Sequence, residues 1–294
     1  MNLQHLRVFL AVAEHEHITR ASAELIISQP AVTKTIQNLE HEIGLDLIER
    51  HGRRIVLTHA GHVLHAYARR MFALEREMEE GIAALRDVDA GEVTLAANTT
   101  TGVYLLPSIV ARFRTRYPQV MLHISILNSH EIVEETLNWK LDFGLVESDP
   151  AHLPEDLKVE VFTHDELVLV VGARHRWRGV RSLSPEALAE KELVVREEGS
   201  GIREIIEQTL LQRGVQVAPL LILPDNEAIK QMVMSGVGVS IVSALAVQRE
   251  LTSGDLIRIP ITGVELHPQL SLVMRKDKQL SRAAQAFCTL LRPS

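Results

Sequence analysis

The chain has a single cysteine, Cys288, and few aromatics: six Phe, three Tyr and two Trp among 294 residues. One thiol excludes a disulfide framework, a four-thiolate zinc site and an intramolecular two-cysteine redox switch. Long apolar runs are missing too. No stretch approaches the roughly 18–20 residues of a membrane span, and Met1-Asn2-Leu3-Gln4-His5 does not open a signal peptide. The chain is therefore expected to be soluble and cytoplasmic, with no membrane partner. A basic excess is also lacking, since 31 Lys and Arg face 38 Asp and Glu for a formal net charge of −7. That excludes a nonspecific polycation and sits uneasily with nucleic acid as partner, because such domains are commonly basic. What is present is an ordinary globular composition, 46% apolar and 23% charged. The length suits about two domains of ~100–200 residues.

Residues 1–59 read as short helices packed together and followed by a hairpin. Leu3, Leu6, Phe9, Leu10, Val12 and Ala13 recur at helical spacing. Thr19 is a good N-cap for a second helix that turns Ala21, Ala23 and Leu25 inward. After the link Ile26-Ile27, Ser28 can cap a third helix and Pro30 falls in its first turn, where a missing N–H costs nothing. That helix runs through Ala31, Val32, Ile36, Leu39 and Ile43, with Gly44 as its stop. Residues 47–50 and 53–57 flank His51-Gly52 as a two-stranded wing.

From 60 to 89 there is no Pro, and beyond Gly61 in the first turn the one internal Gly is Gly81. Leu64, Tyr67, Met71, Leu74, Met78, Ile82 and Leu85 advance in steps of three and four, a coiled-coil-like seam on one long helix. A helix joining two domains has little else to pack on, so the seam is expected to pair two chains.

After Gly91 the rhythm turns to alternating strands and helices. Strands read at 92–97, 120–127, 142–146, 167–171, 192–196, 217–223 and 237–242. Helices read at about 103–117, 130–139, 202–213, 225–235 and 281–291. The alternation predicts an α/β fold with mostly parallel sheets. Two segments echo each other. The strand 92–97 runs into Asn98-Thr99-Thr100-Thr101-Gly102 and a helix, and 192–196 runs into Glu197-Glu198-Gly199-Ser200-Gly201 and a helix. Two similar lobes with a cleft between them are implied.

Residues 19–43 have helix–turn–helix spacing. Gln29, Thr33, Lys34 and Gln37 share an outward face, and side chains there can reach base edges while helix N–H groups meet phosphate. Gln suits adenine, Thr a thymine methyl, Lys guanine or phosphate. Arg53 and Arg54 on the wing can reach the flanking backbone or minor groove. The bland alternative is a solvated helix face beside an arginine-bearing hairpin. Seven of the 14 histidines fall within residues 1–62 but form no metal constellation, and no metal is expected.

In the C-terminal part, ligands of doubly wound domains bind beyond strand ends at helix N-termini. Thr99, Thr100 and Thr101 lie at one such point, Gly199, Ser200 and Gly201 with Arg203 at another. Hydroxyls, free N–H groups and an arginine suit a small oxyanion or carboxylate, although Ser and Thr also cap helices everywhere. Asn128, Ser129, Glu147, Ser148 and Asn226 are placed to line the same cleft. Arg196 ends a strand and either points into the cavity or pairs with Glu197 or Glu198. Enzyme motifs are lacking: there is no G-x-x-x-x-G-K-[ST], no G-x-S-x-G, no strand-coupled G-x-G-x-x-G. No catalytic residue and no cofactor is assigned. A solute-binding or enzymatic α/β domain fused to a helix-turn-helix module is the alternative.

The pattern Leu6-x-x-Phe9, Thr19-x-Ala21-Ser22-x-x-Leu25, Ser28-Gln29-Pro30-Ala31-Val32-Thr33 resembles the winged helix–turn–helix signature of LysR-type transcriptional regulators. Leu39-Glu40-x-x-Ile43-Gly44-x-x-Leu47-Ile48-x-Arg50 and Leu57-Thr58-x-Ala60-Gly61 continue it. The rest matches by layout, so the resemblance covers the whole chain. It implies a DNA-binding domain at 1–59, a linker and dimerisation helix at 60–89, and an effector-binding domain at 90–294. The last resembles two-lobed periplasmic binding proteins, with lobe one about 90–161 and 268–294 and lobe two about 162–267. The resemblance also implies DNA contacts through Ser28, Gln29, Pro30, Thr33, Lys34 and Arg53. Its implied partners are a double-stranded operator, RNA polymerase at the regulated promoter, a small-molecule effector and a homodimer or homotetramer. Lys34 stands where Arg is usual, favouring a point-charge contact over bidentate guanine reading. Thr101-Gly102-x-Tyr104-x-Leu106-Pro107, Arg196-Glu197-x-Gly199-Ser200-Gly201-x-Arg203-Glu204 and Asn226-Glu227-Ala228-Ile229-Lys230 look like a subgroup that includes regulators of sulfur assimilation and carbon fixation. That subgroup implies a small anion as effector.

Overall fold

A computed structural model describes residues 2–51, 54–86, 91–189 and 193–292. It divides into two compact units, residues 1–79 and 80–294.

In the first unit, helices α1 (Leu3–His15), α2 (Ile18–Glu24) and α3 (Gln29–Ile43) precede strands β1 (Ile48–His51) and β2 (Arg54–Leu57), and α4 (His59–Arg86) begins. The 3.6-residue period of α1 turns Phe9 and Val12 into a core shared with Val32 and Leu39 of α3 and with Leu47, Ile55 and Ala68, all buried. The second helix starts earlier than expected. His17, not Thr19, is its N-cap, with Nδ1 accepting from the Thr19 amide at 3.3 Å; Thr19 sits inside the first turn. Ser28 caps α3 by accepting from Ala31 N at 3.4 Å, and Gly44 ends it at φ 79°. The wing strands pair antiparallel, His51 opposite Arg54. The turn between them, with Gly52 and Arg53, lies outside the described residues.

Helix α4 presents two faces. Ala60, Leu64, Ala68 and Phe72 lie against the core of the first unit. Arg69 and Arg7 add ion pairs there, Arg69 to Glu14 at 3.0 Å and Arg7 to Glu75 at 2.6 Å. Leu64, expected in the seam, thus belongs to the inward face. Tyr67, Met71, Leu74, Met78 and Ile82 remain exposed, Tyr67 and Leu74 at 65% and 64%.

The second unit has two lobes. Lobe one is built from β3 (Gly91–Ala97), a π-helical turn (Thr101–Leu105), α5 (Leu106–Arg116), β4 (Val120–Ile126), α6 (Ser129–Leu137), β5 (Phe143–Glu147) and β6 (Leu157–His164). Lobe two carries β7 (Leu167–Gly172), β8 (Val194–Arg196), α7 (Gly201–Leu211), β9 (Leu221–Leu223), α8 (Asn226–Met234), β10 (Ser240–Ser243), α9 (Ala244–Ser253) and β11 (Leu256–Ile259). The chain then returns to lobe one for β12 (Gln269–Arg275) and α10 (Arg282–Leu291).

Lobe one is a five-stranded sheet of order β4-β3-β5-β12-β6. Its β3 pairs parallel with β4 and β5, but the returning β12 is antiparallel to both β5 and β6. In lobe two β7 is flanked by β10 and β11, both antiparallel, while β8 and β9 are parallel. The mostly parallel arrangement read from the alternation is therefore corrected to mixed sheets. A buried strand shows the same apolar run whichever way it points, so direction is decided by where the chain crosses. Strands β6, β11 and β12 and helix α9 were not among the expected elements. Because β6 runs to His164, the lobes divide there rather than at about 161. The two crossovers are tied together by Asp165 N to Pro268 O at 3.0 Å and Leu167 N to Leu266 O at 2.8 Å. Cys288 of α10 packs against the lobe-one core, and burial pushes its thiol up to about 12, which makes it inert near neutrality.

Candidate functional site

Ser28, Gln29, Pro30, Lys34, Gln37 and Arg54 are exposed and Thr33 half-buried. Because α3 buries Val32, Ile36 and Leu39, its opposite face carries the polar residues as a consequence of the period. The side chains of Gln29, Thr33, Lys34 and Gln37 have no partner among the described residues, so they are available to a ligand. Arg54 is engaged, its Nε donating to Glu16 Oε2 at 2.7 Å. His15 pairs with Glu24 and His17 caps a helix, so both have local structural partners.

In the second unit, β3 and β8 end at facing turns. Helices α6, α8, α9 and α10 use their N-cap side chains conventionally: Asn128, Asp225, Ser243 and Ser281 each accept from a first-turn amide. Thr100 and Ser200, the residues at the two echoing turns, make no such bond. Capping therefore does not account for these two hydroxyls. The helix after the threonines opens as a π turn, a local widening that recurs at functional sites.

Arg196 spans the gap between the lobes. Its side chain is only 7% exposed. Nη1 donates to Asn226 Oδ1 at 3.0 Å and Nη2 to Thr99 Oγ1 of lobe one at 3.3 Å. Glu197 takes the remaining fork, Oε2 on Nε at 2.7 Å and Oε1 on Nη2 at 2.9 Å. Around this pair the hydroxyls of Thr100 and Thr101 and the Nδ2 of Asn226 are buried without a partner. Polar atoms left this way cost free energy unless a ligand or water completes them.

Behind the threonines lies a carboxyl pair. Asn98 donates to Glu147 Oε2 at 2.8 Å, while Glu147 Oε1 and Asp165 Oδ2 are buried without a donor. A proton held on either carboxyl supplies a donor that two buried carboxylates lack. Burial pushes the Glu147 carboxyl well above the usual carboxylate range and Asp165 adds to the rise, against Thr100 and Arg196. Burial also raises Asp165, opposed by hydrogen bonds from Ser243 and the Glu166 amide.

Other expected cleft residues hold the lobes together. A side chain at Gly201 would lie 1.6 Å from Glu147 O, so α7 of lobe two seats its first residue directly on the end of β5. Ser129 Oγ donates to the same carbonyl at 3.1 Å, and His130 N donates to Gly199 O at 3.1 Å across the lobes. Gly199 sits at φ 83°, where only glycine is relaxed. Asn128 forms a capping box with Glu131. Arg203 turns to Glu207 at 2.7 Å and braces the Arg196 carbonyl at 3.3 Å. The structure thus joins Thr99, Thr100, Glu147, Arg196 and Asn226, and gives Asn128, Ser129, Gly199, Gly201 and Arg203 to lobe contacts and bracing.

Of the two partners open to Arg196 in the sequence, Glu197 is the one it takes; Asn98, Asp165, Ser243 and Lys230 had no role assigned. Lys230 is buried between Glu227 and Glu250, each at 2.7 Å. Burial lowers its pKa, but the bonds to those two carboxylates outweigh that and raise it. Asn98 and Lys230 had a signal, as members of quoted strings, while Asp165 and Ser243 had none. Two grooves of about 350 Å³ each flank Ser148, Asp149, Ile205 and Gln208, without a Lys or Arg in their walls. Among the described residues no cluster of His, Cys, Asp and Glu suits a metal, and no helix is long and apolar enough to cross a membrane.

Residues 3–62 match the family model for bacterial regulatory helix-turn-helix proteins of the lysR family, and residues 86–294 that for the LysR substrate binding domain. The RuBisCO operon transcriptional regulator of Allochromatium vinosum is 37% identical over 287 residues, covering 98% of this chain and 94% of its own. Full-length CbnR complexed with its target DNA has the same fold at 26% identity and a TM-score of 0.69, covering 99% of each chain. The regulatory domain of CcmR from Synechocystis PCC6803, in complex with 2-PG, matches at 27% identity and a TM-score of 0.63. That match covers 68% of this chain and 95% of the domain.

Proposed function

The chain belongs to the LysR family of bacterial transcriptional regulators, and we propose that it couples operator binding to a small anion held between the lobes of its C-terminal domain. It is a DNA-binding regulator with an effector-binding domain. The acidic total is no obstacle, since residues 1–59 carry six basic and seven acidic side chains. Few phosphate contacts per chain are then expected, and affinity comes from paired, specific modules.

The observation that carries the effector reading is Arg196, buried, bridging both lobes and surrounded by polar atoms without partners. The 2-PG bound by the CcmR regulatory domain supports a small anion here, and the names of the relatives point to a carbon-fixation operon as target. Ser28, Gln29, Pro30, Thr33, Lys34 and Gln37 enter the major groove, and the wing with Arg53 and Arg54 meets the flanking backbone. Arg54 must exchange Glu16 for phosphate to do so.

The exposed seam of Tyr67, Met71, Leu74, Met78 and Ile82 pairs two chains along α4, and dimers assemble into a tetramer. The ligand shifts the balance between two arrangements of the operator-bound assembly, which requires it to bind one of them more tightly. The changed arrangement is read by RNA polymerase at the promoter. The protein works in the cytoplasm, with no cofactor and no catalysis. The test is titration of 2-PG into the full-length protein and its Arg196→Gln variant, with operator retardation in parallel. Binding lost in the variant with retardation preserved is the expected result; equal binding by both proteins removes Arg196 from the site.

A further inference from the structure

We infer that Glu197 is a built-in competitor for the anion site: without effector its carboxylate occupies the Arg196 fork, and an effector anion binds by taking its place. The inference rests on the anion reading of the cleft and adds a rule for which anions succeed.

The geometry at Arg196 is that of a guanidinium already holding a ligand. Two parallel N–H···O bonds of 2.7 and 2.9 Å join it to one carboxylate, the bidentate arrangement arginine uses for carboxylates and phosphates. Asn226 and Thr99 take two of its three other N–H groups toward the protein and leave one on Nη1. Glu197 occupies both N–H groups of the fork, so an oxyanion that takes the fork must displace it. A resident carboxylate there has a physical reason, because a buried guanidinium with no counter-charge is strongly destabilising.

The two members of the pair are not equally anchored. Arg196 is 7% exposed and tied to both lobes, whereas the Glu197 side chain is 23% exposed. Glu197 also belongs to the turn that contains Gly199 at φ 83°. It is the partner with a path to solvent. Its carboxylate leaves the N–H donors of Asn226 Nδ2, beside the fork, buried and unpaired. An anion with more acceptor oxygens than one carboxylate gains those donors as well as the fork. A simple monocarboxylate replaces like with like and gains little. The cleft therefore selects phosphate-bearing or doubly charged small molecules over monocarboxylates, and the apparent affinity of every anion is reduced by the competition. Displacement also reaches the lobe contact, since the same turn accepts the His130 amide through Gly199 O.

The experiment is calorimetric titration of 2-PG, inorganic phosphate and acetate into the full-length protein and four variants. Glu197→Gln removes the competing charge and should tighten 2-PG and phosphate by about tenfold or more, roughly 1.4 kcal/mol, with acetate gaining too. Glu197→Asp, whose shorter carboxylate cannot close the fork as well, should fall between. Glu198→Gln makes the same charge change on an exposed neighbour off the guanidinium and should stay within about twofold. Arg196→Gln should bind none of the three. Unchanged or weaker 2-PG binding in Glu197→Gln, while the parent binds through Arg196, refutes the competitor and leaves the site standing. An equal gain in Glu198→Gln refutes it as well, reducing the effect to a long-range field. If neither the parent nor Glu197→Gln binds any of the anions, the anion reading itself falls, and the competitor with it.

Discussion

The recognition helix and the interlobe cleft treat polar side chains in opposite ways. On α3, Gln29, Lys34 and Gln37 stand on the surface and Thr33 at its edge, with no partner within the described residues, and are left to water. In the cleft, Thr99, Asn226, Arg196 and Glu197 form one connected network, and the atoms left over are sealed from solvent. Removing a side chain from the first surface should alter binding and spare the fold. Changes in the second should alter stability and binding together, because a buried polar group without its partner costs the full desolvation penalty.

The strongest break of this contrast is Gly201→Ala. A methyl 1.6 Å from Glu147 O forces the backbones of the two lobes apart. Loss of about 3 kcal/mol or more in the C-terminal domain and of the 2-PG response is expected, measured by thermal unfolding and calorimetry, while operator retardation persists. Loss of retardation as well would mean the two regions are not separable.

Next in size is Gln29→Ala with Thr33→Ala on the recognition helix. Each should weaken operator binding by about 1–3 kcal/mol and relax sequence preference. With no tertiary partner to lose, the unfolding midpoint should stay put. A large drop in the midpoint would show that this surface is part of the fold after all.

Glu147→Gln probes the carboxyl pair through pH. Because burial raises Glu147, the folded protein holds its proton more tightly than the unfolded chain does. Stability from this group is then full below the ordinary carboxylate range and is lost as pH rises through the raised value. In the parent, the unfolding temperature of the C-terminal domain should fall from mildly acidic toward alkaline pH. The neutral amide should flatten that slope and gain on the order of 1 kcal/mol at pH 8. Parallel pH profiles for the two proteins would remove that proton.

The smallest effect concerns Ile26 in the turn before α3. It adopts φ 54° and is 91% exposed, a left-handed conformation that a β-branched residue enters only with strain. Ile26→Asn should stabilise the N-terminal unit by about 0.5–1 kcal/mol, read from its denaturation midpoint. No gain would show that neighbouring contacts already absorb the strain.

The N-terminal module was legible because its signals are local. Ser28, Pro30 and Gly44 mark a helix start and stop within one segment, and the residues between them sort by a single period. His17 displaced Thr19 as cap because an imidazole nitrogen can also accept a first-turn amide, here that of Thr19, which capping preferences weight poorly. In the C-terminal domain the strand-to-helix turns were visible, but β12 was not. The return of 268–294 to lobe one came from the family layout, and the residues of β12 give no sign of a strand pairing between β5 and β6. Asp165 was invisible as a partner of Glu147 for the same reason, since their meeting depends on the crossover.

Local sequence was enough for the start and stop of α3, its outward polar face, the exposed seam on α4 and the two echoing turns. Each follows from periodicity and capping within a few residues. Only the tertiary structure decided which hydroxyls cap helices and which stay unpaired, that Arg196 reaches Thr99 from the other lobe, and that Glu197 holds its fork. Those outcomes depend on distances through space between groups remote along the chain, where hydrogen bonds and desolvation act and sequence spacing carries no information.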